Sequence, residues 1–235
     1  MEFERFEELF LSGTDSLSVA TDHDQVHRLY RYFQELRRWS RKVNLVSKNA
    51  DAEQIVVNHF IDSAALLKIT DGQPGALLDI GSGAGFPGLV CKAMRAELPV
   101  LLVEPRLKRV SFLRHIIRVL DLKGIDVHAG RLEDGADIPG ESDAAWVVGR
   151  AVAEVGDFLQ MCSRFRRYRT AVVCMKGPRF RDEFDEQCEA AGGWHLQTIV
   201  NYSLPRSGAQ RNLLVFRGRE PLRSDGEMVR KGTRQ

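Results

Sequence analysis

The chain has 235 residues, 43% of them hydrophobic and 28% charged, with a mean hydropathy of -0.26. That composition excludes a fibre, a low-complexity chain and a wholly disordered protein. Thirty-four Lys and Arg stand against thirty-two Asp and Glu, so net charge does not mark a nucleic-acid binder and the distribution of charge must decide.

Residues 1–70 read as helical. Phe3, Phe6, Leu9 and Phe10 recur at helical spacing, and Ser12-Gly13 reads as the stop of that helix. Thr21 with Asp24 resembles a capping pair. Val26, Leu29, Tyr30, Phe33 and Leu36 then form one apolar face, and a third helix opens near Asp51, with Gln54 three residues on.

From residue 76 the period changes. Ala76–Ile80 is a short apolar run ending in a glycine cluster, a buried strand by length and punctuation. Pro87 suits an early position of a helix running towards Ala96. Strands follow at Val100–Val103, Ile125–Ala129, Ala144–Val148 and Ala171–Met175, with helices at Arg106–Leu120 and from Phe158 onward. Short apolar strands alternating with helices argue for an α/β fold with a parallel sheet covered on both faces. His195–Tyr202 and Asn212–Arg217 read as an antiparallel pair closing that sheet. The expected organisation is a helical extension over 1–70, an α/β domain over 71–217 and a basic, frayed tail over 218–235.

Cys91, Cys162, Cys174 and Cys188 form no C-x-x-C pair, so reduced thiols in a cytoplasmic protein are expected, with neither a disulfide framework nor a zinc cage. No apolar run approaches the ~18 residues of a spanning helix. The N-terminus is acidic and lacks the basic start of a secretory signal. His23 and His27 have metal-pair spacing, but no third ligand follows, so no metal is expected.

The most informative stretch is Asp79-Ile80-Gly81-Ser82-Gly83-Ala84-Gly85-Phe86-Pro87-Gly88. Glycine is wanted where the chain leaves a strand with positive φ and where backbone must approach a ligand. A dinucleotide fingerprint needs a third glycine where Phe86 stands, which disfavours an NAD enzyme. The D-x-G-x-G pattern resembles instead the first motif of class I S-adenosylmethionine-dependent methyltransferases. Their donor carries no phosphate, and its ribose needs a carboxylate; Glu104, at the end of the second strand, supplies one.

Further motifs narrow the resemblance. His59-Phe60-Ile61-Asp62-Ser63, the 79–88 loop, Lys108–Leu113, Arg150-Ala151 and Met175-Lys176-Gly177 occur in the order and spacing of one family. Over roughly residues 25–217 the chain resembles the bacterial 16S ribosomal RNA guanine-N7 methyltransferases of the RsmG (glucose-inhibited division protein B) type. The resemblance implies a class I, Rossmann-like methyltransferase fold, S-adenosyl-L-methionine as cofactor, and 16S ribosomal RNA or the small ribosomal subunit as partner, with a monomer acting in the cytoplasm. By position it implies a donor site of Asp79, Gly81, Gly83, Gly85, Phe86, Glu104, Leu132, Glu133 and Arg150, and catalytic roles for Arg150 and Lys176. Asn212 stands where the family often has His.

Guanine N7 carries a lone pair and no proton, so its methylation needs alignment and exclusion of water rather than a general base. The signatures of other chemistries are missing: Gly149-Arg150-Ala151 stands where amino-group enzymes carry an Asn/Asp-Pro-Pro-aromatic segment, and none of the cysteines follows a proline. Arg28, Arg31, Arg37, Arg38, Arg41 and Lys42 crowd one helix and its exit. They suit phosphates or a solvated helix face equally. Lys176, Arg179, Arg181, Arg206 and Arg211 are expected around the mouth of the site. Two other readings stand beside this one: a methyltransferase acting on a small molecule or protein, and a non-enzymatic nucleotide-binding regulator.

Overall fold

The computed structural model describes residues 1–47, 49–132, 138–167, 170–183 and 193–218. Glu133, Cys188 and the tail beyond Gly218 lie outside them. Helices α1 (Phe3–Ser16) and α2 (His23–Ser40) are followed by α3 (Ala52–Ile55), a π-helical segment (Val56–Ile61), α4 (Asp62–Ala64) and α5 (Leu67–Thr70). Then come β1 (Ala76–Ile80), α6 (Gly88–Met94), β2 (Val100–Val103), α7 (Leu107–Val119), β3 (Ile125–His128), β4 (Ala144–Arg150), α8 (Val155–Met161), β5 (Ala171–Lys176), β6 (Trp194–Ser203) and β7 (Gln210–Gly218).

The strands form one seven-stranded sheet in the order β3-β2-β1-β4-β5-β7-β6. β1 to β5 pair in parallel, whereas β7 runs antiparallel to both β5 and β6. The expected parallel sheet with a closing antiparallel pair is what the chain builds. Successive strand residues point to opposite faces: Leu77, Val148 and Val173 join one apolar layer, and Leu78, Val147 and Val172 join the other. The N-terminal helices belong to the first layer, where Phe6, Phe10, Leu29 and Phe60 share a cluster with Leu102 and Phe112. Phe158, Phe165, Trp194 and Phe216 fill the second.

Two local expectations are corrected. Ser12-Gly13 does not stop α1, which runs on to Ser16. Gly13 lies inside the helix with Ile61 packed against it; a Cβ there would collide with the isoleucine side chain. The cap of α2 is Asp22 with Gln25, a reciprocal capping box, rather than Thr21 with Asp24. The same device caps α3, through Asp51 and Gln54.

The arginines of α2 divide by role. Arg28 donates to the carbonyl of Ala93 at the end of α6. Arg31 donates to the carbonyl of Val119 at the end of α7, at 2.6 Å. Guanidinium groups there satisfy orphan carbonyls and meet the negative end of each helix dipole. Arg37 lies over the ring of Phe33, and Arg38 faces Glu35 at 3.7 Å. Among the described residues, no helix is long and apolar enough to cross a membrane, and no three His, Cys, Asp or Glu side chains cluster to hold a metal ion.

Candidate active site

The sheet order reverses between β1 and β4, and that switch point is where open α/β sheets leave a crevice beyond their strand ends. Two cavities meet there. One, of about 980 Å³, is lined by residues that include Asn58, His59, Asp62, Gly81, Gly83, Phe86, Arg109, Arg150, Lys176, Glu183 and Arg211. The other, of about 550 Å³, lies between β1, β2 and α8 and includes Val103, Pro105, Leu132, Val152, Asp157 and Gln160. Gly81 lines both, so the two cavities adjoin at the glycine loop.

The glycine loop forms the wall between them. Gly83 has φ +61°, and a Cβ built on it would stand in the cleft, with Arg109 Nη1 at 3.7 Å as its nearest neighbour. Glu104 fixes the loop from below: its Oε2 accepts from the Gly83 amide and its Oε1 from the Arg106 amide, each at 2.9 Å. Arg109 Nη1 lies 3.9 Å from the same carboxylate. A carboxylate has room for further donors beyond these.

Not every residue named from the sequence reaches the cleft wall. Gly81, Gly83, Phe86, Leu132, Arg150 and Lys176 line it. Asp79, Gly85 and Glu104 do not, and the Glu104 carboxylate is buried beneath the loop at 2% exposure. Asp79 is fully buried, and its Oδ2 accepts from the Gly88 amide at 2.8 Å, tying the end of β1 to the start of α6. Among the described residues its Oδ1 has no hydrogen-bond partner. Burial pushes its carboxyl up to about 7, against the opposing pull of the Gly88 amide and Arg150. A side chain at Gly85 would run into Leu89 and the Tyr32 hydroxyl.

Phe86 anchors the loop. Tyr32, Phe60 and His59 pack around its ring, at centroid distances of 5.6, 5.2 and 5.1 Å. Arg150 lies over the same ring at 5.1 Å, and the Tyr32 hydroxyl donates to the Ala84 carbonyl. The N-terminal helices thus hold the glycine loop directly.

Arg150, at the end of β4, is held on several sides. Nη1 donates to the Asn58 carbonyl at 3.0 Å and to Asp62 Oδ2 at 3.2 Å, and Nη2 donates to His59 Nδ1 at 3.1 Å. His59 and Asp62 therefore meet through the arginine rather than as a pair of their own. Burial, with the guanidinium beside it, lowers His59 to about 3. The imidazole is neutral at physiological pH, and its Nδ1 is committed as an acceptor. Asp62 is held in turn by the Tyr202 hydroxyl at 2.8 Å, with Arg211 Nε 3.6 Å away.

Lys176 closes the far side of the cleft, donating to the Ala153 carbonyl at 2.6 Å and to Glu183 Oε2 at 2.5 Å. Of the other basic residues expected at the mouth, Arg211 lines it. Arg206 instead pairs with Glu53 at 2.6 Å, and Arg179 and Arg181 are exposed. Asn212 donates to the Gly177 carbonyl at 2.9 Å, fixing the turn after Lys176. Sequence reading missed Tyr202 and Glu183; only the sheet topology and the turn after β5 bring them here.

The strand order, the glycine loop at the switch point and the acid at the end of β2 define the class I fold of S-adenosylmethionine-dependent methyltransferases. A solved S-adenosylmethionine-dependent methyltransferase from Aquifex aeolicus has the same fold at 15% identity, with a TM-score of 0.51 over 78% of this chain and 97% of that one. The model of the GidB family, rRNA small subunit methyltransferase G, matches residues 25–214, and the chain belongs to that family. Ribosomal RNA small subunit methyltransferase G of Desulfotalea psychrophila is 44% identical, covering 92% of this chain and all of its own. The protein of the same name from Acetivibrio thermocellus is 33% identical over 91% of this chain and 88% of its own.

Proposed function

We propose that this chain transfers a methyl group from S-adenosylmethionine to N7 of a guanine in 16S ribosomal RNA. Family membership supports a small-subunit RNA substrate. The state of His59, Asp62 and Lys176 supports N7. The His59 imidazole accepts from Arg150, Asp62 is shared between Arg150 and Tyr202, and Lys176 is paired with Glu183. None of these is poised to remove a proton, and N7 has none to lose.

The lining of the cleft supports that donor. Bound S-adenosylmethionine supplies an electrophilic methyl on its sulfonium. The smaller, more apolar cavity beside Leu132, Val103 and Pro105 suits an adenine ring. The resemblance gives the ribose hydroxyls to Glu104, whose carboxylate lies beneath the loop on the Gly83 and Arg106 amides, and Gly83 leaves free the space that a Cβ would fill. Gly81 and Phe86 shape the wall between the two cavities, and Arg150 borders the place where donor and base meet. Glu133 completes the site implied by the family resemblance. Residues 1–70 act as a helical extension bracing the loop, and 71–217 as the catalytic domain.

In the reaction the N7 lone pair forms the new N–C bond, and the C–S pair leaves with sulfur. Positive charge passes from sulfur to the purine, and alignment carries the acceleration. The test uses small subunits from cells lacking the gene, incubated with the protein and labelled donor, with methylated guanine located by reduction and chain cleavage. One N7-methylguanosine in 16S RNA is the expected product. Label in protein, or on any other base atom, overturns the reading.

A further inference from the structure

Two carboxylates line the larger cavity, Asp62 and Glu183. Asp62 is 7% exposed and shared between Arg150 and Tyr202. Glu183 is 33% exposed and bound through Oε2 to Lys176. Among the described residues its Oε1 has no hydrogen-bond partner. Lys176 and Glu183 thus present the cleft with an ammonium donor directly beside a carboxylate acceptor.

That order has a chemical complement. The Watson–Crick edge of guanine carries an acceptor, O6, next to two donors, N1–H and the N2 amino group. A lysine has only donors and an ionised glutamate only acceptors, so the pair matches guanine across its whole edge. Adenine, with a donor where guanine has O6 and an acceptor at N1, meets it with both signs reversed. We propose that Glu183 reads the N1–H and N2 amino group of the target guanine while Lys176 meets O6, making this pair the specificity determinant of the reaction. The proposal rests on the guanine-N7 reading above.

The same contact responds to the chemistry. As N7 gains its methyl, positive charge spreads over the purine and its N–H groups become better donors. A carboxylate on N1–H then binds the transition state more tightly than the ground state. Losing it lowers kcat more than it raises KM.

The experiment uses small subunits reconstituted with 16S RNA carrying guanine or inosine at the methylated position. Inosine keeps O6, N1–H and N7 but lacks the N2 amino group. With the unaltered protein, inosine is expected to lower kcat/KM about tenfold or more, the usual cost of a lost hydrogen bond to a charged group. Glu183→Gln and Glu183→Ala are expected to slow the guanine substrate and to shrink or abolish the inosine penalty, with S-adenosylmethionine affinity by calorimetry unchanged. An inosine penalty as large in both variants as in the unaltered protein overturns the assignment and leaves Glu183 as a support for Lys176. Guanine left unmethylated by the unaltered protein overturns the guanine-N7 reading, and this proposal with it.

Discussion

Tyr202, in the outermost strand β6, donates its hydroxyl to Asp62 of α4, 140 positions earlier, at 2.8 Å. Through Asp62 the edge of the sheet reaches Arg150 at the centre of the cleft. Burial and the neighbouring carboxylate raise the phenol far above its ordinary range, so it remains a donor at every working pH. Tyr202→Phe removes one donor from a buried carboxylate and should cost about 1–2 kcal/mol of stability. Asp62→Asn should lower turnover at least about tenfold, because Arg150 loses its charge partner, while donor affinity changes little. Urea unfolding with single-turnover methylation checks both. Turnover unchanged in Asp62→Asn would show that Arg150 does not depend on that pairing.

Gly83→Val places a branched side chain in the cleft at a φ of +61°. The backbone strain should cost about 1–2 kcal/mol. The larger effect should fall on S-adenosylmethionine, whose dissociation constant should rise at least about tenfold. Calorimetry beside urea unfolding separates the two, and a variant that loses stability but keeps its affinity would place the donor elsewhere.

Stability should respond to acid through His59. Its folded value is about 3 against an ordinary 6.5, so its contribution is complete above pH 6.5 and is lost as pH falls from there towards 3. At pH 5 the loss should be about 2 kcal/mol. His59→Asn, which keeps an acceptor without a titrating ring, should flatten that limb. Asp79 acts in the opposite direction. Raised to about 7, it stabilises fully below pH 3.8 and loses that contribution as pH rises to 7. Asp79→Asn should therefore gain stability over the unaltered chain between pH 4 and 7, with the difference level above. Urea midpoints from pH 4 to 8 report both, and parallel curves for all three proteins would refute the assignments.

Arg28→Ala and Arg31→Ala should each cost about 1 kcal/mol through the uncapped ends of α6 and α7. Neither should alter the salt dependence of RNA binding, since each guanidinium is tethered to a helix end. A reduced salt slope in either variant would return these residues to the RNA surface.

The strands and the loop were legible because each is written locally: five-residue apolar runs, a glycine cluster, an acid at a strand end. What the sequence hid depends on distant partners. Gly13 reads as a stop until Ile61 is seen against it. The α2 arginines form a charge run whose acceptors lie 65 and 88 positions away. Asp79 belongs to the same motif as Gly83, yet strand alternation turns it inward to the Gly88 amide. Glu183 carries no local signal; only the turn after β5 sets it against Lys176.

The rings gathered on Phe86 have a mechanical consequence. Tyr32 and Phe60 come from the N-terminal helices, and Phe86 comes from the strand-tip turn they clasp. Prising the helices away would pull that turn out of shape, so the N-terminal helices and the glycine loop should shift together as one body.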